Sequence, residues 1–274
     1  MHFTVKLLLL VLVNHNYVMK TNSFSRRRDF LKKALTVGTA IAMAPHVSFS
    51  TPRNDKEGDG FIFLFQGDSI TDGNRTRNND WNHVMGHGYQ FIIASKLWYD
   101  LPDKGFHFFN RGVSGNKVTD LAARWQTDTL DIKPDVLSIL IGINDVSTFI
   151  KGNNDFTAEK YETGLRDLLL QTRTQLPNVL FILGEPFILP VGIVKEKWDD
   201  YSAEIKKRQD IVLKLSKEFN GVFIPYQSAF NKALSKAQAD YWIWDGIHPM
   251  PAGHELMALE WMKHAGEKLK FIAG

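Results

Sequence analysis

The sequence predicts an α/β fold with a parallel sheet, and three observations predict it. Short apolar runs alternate with longer helix-like stretches five times along the chain, the pattern of strands joined by crossover helices. The first run, 61–65, is an unbroken Phe-Ile-Phe-Leu-Phe, as expected of a strand buried on both faces. The first three runs each end in a polar, glycine-bearing motif: Gln66-Gly67-Asp68-Ser69, then Asn110-Arg111-Gly112-Val113-Ser114-Gly115-Asn116, then Gly142-Ile143-Asn144-Asp145. In a parallel sheet such ends converge on one rim, where open α/β sheets keep their chemistry.

Taken in order, a polar, charged linker over 52–60 precedes the first strand. Gly67 is expected to let the backbone turn tightly out of that strand, with Ser69 at the start of a helix. Residues 74–88 are polar and irregular and read as a loop over the rim. Helical apolar spacing follows over 89–97, a second strand over 106–110, a helix over 118–130 and a third strand over 136–141. A long helix over 157–175 is stopped by Pro177, and 179–183 is the fourth strand. The stretch 195–220 is a helix with Ile205, Ile211, Val212 and Leu215 on its apolar face. Gly221 closes it before the fifth strand, 222–225. The last helix follows Pro251, a residue suited to a first helical turn.

The chain has 274 residues, 44% hydrophobic and 12% aromatic, enough for one substantial core. The net charge of +3 is misleading. Residues 1–50 hold seven Lys and Arg against one acid, whereas the remainder holds 26 basic against 29 acidic residues. The folded part is therefore no polybasic nucleic-acid binder. There are no cysteines, which excludes disulfides, thiolate metal sites, a cysteine nucleophile and a lipid-modified cysteine anchor.

The basic excess belongs to the N-terminus. Ser25-Arg26-Arg27-Arg28-Asp29-Phe30-Leu31-Lys32 resembles a twin-arginine export signal, with Arg27 and Arg28 as the pair. The apolar stretch after it, 34–44, is too short to span a bilayer, and 47–50 offers small residues for cleavage. Another apolar run, 7–13, either extends the targeting segment or lies upstream of a start at Met19. Residues 1–53 are thus expected to be signal and linker, 54–274 the folded domain, and the protein exported without a stable membrane anchor.

Ser69 offers an oxygen nucleophile at the end of the first strand, Gly115 an unobstructed backbone N–H and Asn144 a side-chain amide. Together, Ser69, Gly115 and Asn144 suit the stabilisation of one oxygen that becomes negative in acyl transfer. Each also has a plainer use: Asp68 or Ser69 as a helix cap, Gly115 as a turn glycine, Asn144 in an Asx-turn. The missing base lies in Tyr241-Trp242-Ile243-Trp244-Asp245-Gly246-Ile247-His248-Pro249. There Asp245 is spaced to hold one imidazole nitrogen of His248 and leave the other for the Ser69 proton. His254, beside Glu255 but without His-Glu-x-x-His spacing, reads as structural, and no metal site or cofactor is expected. A Gly-x-Ser-x-Gly elbow is absent, which removes the other common α/β-hydrolase arrangement.

Gly67-Asp68-Ser69, Gly115, Asn144 and His248, in this order, resemble the SGNH branch of the GDSL hydrolases. The likeness runs from residue 61 to the C-terminus. It is closer to the bacterial GDSL-type acetylxylan esterases through Gly88-Tyr89, Asp120-Leu121, Arg124-Trp125 and Ala252-Gly253-His254. That resemblance implies a three-layer, flavodoxin-like α/β/α fold, a Ser69/His248/Asp245 triad, an oxyanion hole of Ser69, Gly115 and Asn144, and no metal. Lys117 departs from the threonine often found in relatives, and an export signal is unlike relatives acting inside the cell. The expected function is removal of acetyl or other short acyl groups from a carbohydrate, with Trp244 as a candidate sugar contact. The substrate is then a small-molecule or oligosaccharide ester, and a homo-oligomer is left open. A lysophospholipase or general short-chain esterase is the alternative; a non-catalytic carbohydrate binder ranks below both.

Changing Arg27 and Arg28 together to Lys is expected to trap the precursor in the cytoplasm. Cell fractionation that finds the double variant exported as before would reject the twin-arginine reading.

Overall fold

A computed structural model describes residues 59–78 and 80–272. The proposed signal, its cleavage region and the 53/54 boundary lie outside the described residues. Five strands form one sheet: β1 (Ile62–Gly67), β2 (His107–Asn110), β3 (Val136–Leu140), β4 (Leu180–Gly184) and β5 (Val222–Ile224). All pair in parallel, in the order β2-β1-β3-β4-β5. This is the doubly wound order in which successive connections leave β1 and β3 on opposite sides, opening a crevice between their carboxyl ends.

Alternation along the strands sorts the core into two layers. Phe63 and Phe65 of β1 pack with Tyr89 and Ile93 of α2 (Tyr89–Asp100), Phe230 of α8 (Tyr226–Ala233) and Trp261 of α10 (Pro251–Ala265). Leu64, between them, faces the other way. It joins Leu121 and Trp125 of α3 (Val118–Trp125), Leu165 and Leu169 of α5 (Ala158–Gln175) and Leu215 of α7 (Trp198–Glu218). The two buried indoles satisfy their N–H groups, Trp261 against the sheet on Ser138 Oγ at 3.1 Å and Trp125 on the neighbouring helix at Thr172 Oγ1, 3.0 Å away.

The α/β class and the five parallel strands agree with the sequence reading; several boundaries differ for physical reasons. β1 continues past Phe65 because the polar Gln66 is fully buried yet fully bonded. Its Nε2 donates to Asp128 O and Thr129 Oγ1, and its Oε1 accepts from Arg124. Gly67 is the last strand residue, not a turn. A Cβ there would lie 2.3 Å from Leu140 O on β3, so the residue is required by close strand approach. The helix expected over 118–130 ends at Trp125 and widens into a π turn, Gln126–Leu130. The helix expected to start at Ser69 is the short α1 (Ser69–Asp72), whereas α4 (Ile143–Ile150), the short α6 (Gly192–Lys195), α8 and the short α9 (Ala239–Trp242) go beyond the sequence reading. Among the described residues no helix is long and apolar enough to cross a membrane.

Gly67→Ala is expected to destabilise the fold by roughly 3 kcal/mol, because the new methyl meets a backbone oxygen that cannot move alone. Urea unfolding should show a lowered midpoint at unchanged slope; an unchanged midpoint would show that β1 and β3 can separate freely.

Candidate active site

The crevice is furnished from three strand ends and one late turn. After β1, Asp68 is the N-cap of α1: its Oδ1 accepts from Ile70 N–H at 3.0 Å. That capping sets the entry angle of the helix and leaves Ser69 at its first position, half-buried, with its hydroxyl on the rim. Ser69 Oγ lies 2.8 Å from His248 Nε2, and His248 Nδ1 lies 2.6 Å from Asp245 Oδ2. The first two are 179 residues apart in sequence.

The spacing of Asp245 and His248 suggests one helical turn, but the segment is a tight loop closed by an Ile243–Pro249 bridge and by Met250 N–H on Trp242 O at 2.8 Å. Within it Asp245 Oδ1 accepts from the N–H groups of Ile247 at 2.9 Å and His248 at 2.7 Å. The carboxylate therefore builds the turn with one oxygen and orients the imidazole with the other. From outside, Leu189 N–H donates to Gly246 O and Ile193 N–H to Asp245 O.

The electrostatics follow from these bonds. Burial pushes the Asp245 carboxyl up, but His248 and the two N–H donors outweigh it and hold it below the usual carboxylate range. The hydrogen bond that His248 donates to Asp245 raises the imidazole above its ordinary value, against the effect of partial burial, with Asp68 adding a smaller Coulombic pull. Asp68 itself is raised to about 7 by burial, and its Oδ2 has no hydrogen-bond partner among the described residues. Asp145 is likewise raised by burial, to about 7.

Gly115 lies in the loop after β2 and Asn144 at the start of α4, after β3. Gly115 adopts φ +82°, a left-handed conformation in which a side chain would be strained. Among the described residues neither its N–H nor that of Ser69 has an acceptor. Asn144 sits in the first turn of α4, not in an Asx-turn, and its Nδ2 donates to Asn116 O at 3.2 Å. The Gly115 loop is tied to β1 and α1 by Val113 N–H on Gly67 O at 3.1 Å and by Ser114 N–H on Asp72 Oδ2 at 3.1 Å. The N–H groups of Ser69 and Gly115 and the Asn144 amide thus stand in the segments that follow β1, β2 and β3, the chemistry of donors able to hold a developing oxyanion.

Trp244 lies beside His248, rings near parallel with centroids 6.5 Å apart, and is 61% exposed. Trp242 does not join it; it is half-buried against Tyr241, and its Nε1–H donates to Ala237 O. His254 is structural in the plain sense: Nδ1 accepts from Tyr89 N–H at 3.1 Å, and burial lowers its pKa to about 4.

Sequence reasoning missed the residues that hold the rim together. Asn110 Nδ2 donates to Thr71 O, Asp72 O and Met85 O while Oδ1 accepts from Gly112 N–H. Asp72 receives Ser114 N–H and pairs with Arg77, and these bonds overcome burial to keep its carboxyl low. Arg124 bridges Asn116 Oδ1 at 2.8 Å, Gln66 Oε1 at 3.0 Å and Asp128 at 3.0 Å. The available signal was a run of polar residues at strand ends with no obvious solvent role.

Residues 65–256 match the model of the GDSL-like lipase/acylhydrolase family. The chain is 35% identical over 218 residues to an acetylxylan esterase from Geobacillus stearothermophilus, covering 77% of this chain and 96% of that one. The solved structure of that esterase superposes with a TM-score of 0.69 at 33% identity, over 77% of this chain and 97% of the other. A structure described as a GDSL-like lipase from Parabacteroides merdae gives a TM-score of 0.73 at 41% identity, over 77% and 98%.

A raised imidazole pKa has a defined sign. His248 favours its charged form in the fold, so its contribution to stability is fully present below its unfolded value. That contribution is lost as pH rises through the higher folded value. In ring ¹⁵N spectra His248 should titrate above 6.5, and Asp245→Asn should move the midpoint to lower pH. An unmoved midpoint would mean that the carboxylate does not act on the imidazole.

Proposed function

Because the chain belongs to the GDSL-like lipase/acylhydrolase family and is a carboxylic ester hydrolase, we propose that it removes acetyl groups from a carbohydrate through Ser69, His248 and Asp245. The observation that carries this reading is the continuous chain of hydrogen-bond distances from Ser69 Oγ through the imidazole to Asp245, 2.8 and 2.6 Å. It is supported by the solved variants of the Geobacillus esterase described as catalytic mutants, in which a serine, an aspartate or a histidine is replaced by alanine.

In this mechanism Ser69 Oγ attacks the acetyl carbon while His248 Nε2 takes its proton. Asp245 holds the Nδ1–H tautomer and steadies the imidazolium that forms. The carbonyl oxygen, now negative, receives the Ser69 and Gly115 N–H groups and Asn144 Nδ2, whose present bond to Asn116 O sets its reach. Collapse expels the sugar oxygen, which takes the proton back from His248 and leaves acetyl on Ser69. Water, deprotonated by the same imidazole, releases acetate. Asp68 caps α1 from beneath and so fixes the direction of the nucleophile. The sugar assignment rests on similarity to the acetylxylan esterase and on the exposed Trp244 face beside His248, a surface suited to a sugar ring.

One set of assays tests the proposal. Ser69→Ala and His248→Ala should nearly abolish turnover of an activated acetate ester with little loss of folding, and Asp245→Asn should also cost substantially, though less than either. Asn144→Ala should lower kcat by ~10²–10³ with little change in KM. Across p-nitrophenyl acetate to octanoate, kcat/KM should peak at short chains, and acetate should be released from acetylated xylo-oligosaccharides. A peak at octanoate with no acetate from the sugars would favour a lipid substrate, since an apolar tunnel gains about 0.8 kcal/mol per methylene.

A further inference from the structure

A second cleft, of about 210 Å³, opens at the same rim where loop 74–88 meets the end of β2. Val84, Phe108 and Phe109 form part of its lining, with Trp81, Asn78 and Arg111. Trp81 is 73% exposed, an unusual position for an indole that packs no core. Asn110 also borders the cleft but has its amide committed to Thr71, Asp72, Met85 and Gly112. Arg111 is the cation of the cleft.

The Arg111 guanidinium lies over the Phe109 ring, 5.6 Å from its centroid, and is only weakly met by carboxylates among the described residues. Its nearest carboxylate oxygen is Asp128 Oδ1 at 3.9 Å, and Asp128 already pairs with Arg124 at 3.0 Å. Its own hydrogen bond, Nη1 to Asn110 O, is long at 3.4 Å. Arg75 lies behind, buried, donating through Nε to Gly112 O at 2.9 Å. Burial and the nearby Arg77 and Arg111 lower its guanidinium to about 10, which leaves it charged at neutral pH. Asp72, the other carboxylate here, is taken by Arg77 and Ser114. Four guanidinium groups thus gather around Asp72 and Asp128, with Asp120, itself paired with Lys117, acting on Arg124, although the chain beyond residue 50 has more acidic than basic residues.

We propose that the cleft between Trp81 and Arg111 is a subsite for a uronic acid residue of the acetylated glycan, with the indole against the sugar ring and the guanidinium on the sugar carboxylate. The inference rests on the carbohydrate reading above and names the substrate class as an acidic glycan. An aromatic wall suits the apolar face of a pyranose, and a planar guanidinium matches a planar carboxylate in two parallel bonds. The position is also right. Gly115 is four positions beyond Arg111, so their Cα atoms are at most roughly 14 Å apart, the span of a short oligosaccharide. An acetylated sugar at Ser69 and a uronate at Arg111 then belong to one bound chain.

The test compares kcat/KM for two acetylated xylo-oligosaccharides of equal length, one with a glucuronic acid substituent and one without. A charge-assisted bond of this kind is worth about tenfold or more in binding. The wild-type ratio of acidic to neutral substrate should therefore be about ten and should shrink as salt is raised. In Arg111→Gln the ratio should fall towards one, mostly through KM. Trp81→Ala should weaken the acidic substrate as well. A ratio of one in wild type, or one unmoved by Arg111→Gln, overturns the subsite. If neither sugar releases acetate while p-nitrophenyl acetate is turned over, the carbohydrate esterase reading fails by itself. The subsite is then decided by calorimetry on full-length Ser69→Ala protein with an acetyl-free, glucuronic-acid-bearing oligosaccharide. Binding that Arg111→Gln weakens supports it; absence of binding overturns it.

Discussion

The site depends first on how closely β1 and β3 approach. Gly67 pairs with Leu140 at the very end of the two strands, and only the missing side chain lets the Leu140 carbonyl oxygen sit where a Cβ would stand. That contact brings the starts of α1 and α4 to one crevice, and with them Ser69 and Asn144. The chain turns to opposite faces of the sheet after these strands, so the crevice stays open and a substrate can enter.

Around that contact the rim is organised by buried polar side chains, where a hydrophobic core would have been useless. Loops have no ladder to satisfy their backbone groups, and a buried unpaired N–H or C=O costs as much as a lost hydrogen bond. Asn110 answers three carbonyls and one N–H. Asp72 fixes Ser114 next to Gly115, and Arg124 clamps Asn116 onto Gln66. The Asp120-Leu121 and Arg124-Trp125 motifs have the same logic. Asp120 receives Lys117 N–H at the start of α3 and pairs with Lys117 Nζ, while Leu121 and Trp125 anchor the helix in the core.

The fold was legible because burial on both faces leaves strands such as 62–67 and 136–140 almost purely apolar. Ser69, Asp245 and His248 were legible because each sits in a short motif at an element end. What escaped the sequence is non-local or nearly apolar-neutral. Gln66 looks like a strand terminator until its partners, 62 and 63 residues away, are known. The Asp245 turn resembles a helical spacing because both geometries place positions three apart side by side. Helix α4 hid behind Gly142 and the polar pairs Asn144-Asp145 and Ser147-Thr148, which break up its four apolar residues. Trp81 and Arg111 are distant in sequence and share a cleft only through the pairing of β2 with β1.

The loop holding Asp245 and His248 is braced within itself by the Ile243–Pro249 bridge and two N–H bonds to a single carboxylate oxygen. Acid and imidazole therefore travel as one rigid body, whereas the serine belongs to a different part of the chain and is joined to them by a single 2.8 Å contact. Motion of the loop opens that contact before it disturbs the imidazole–carboxylate pair. In the proposed mechanism this single contact joins nucleophile to base, and it is also the one that opens for an acyl group to be carried past the imidazole. Stiffness is kept where proton placement needs it, and compliance is confined to the gap the substrate enters.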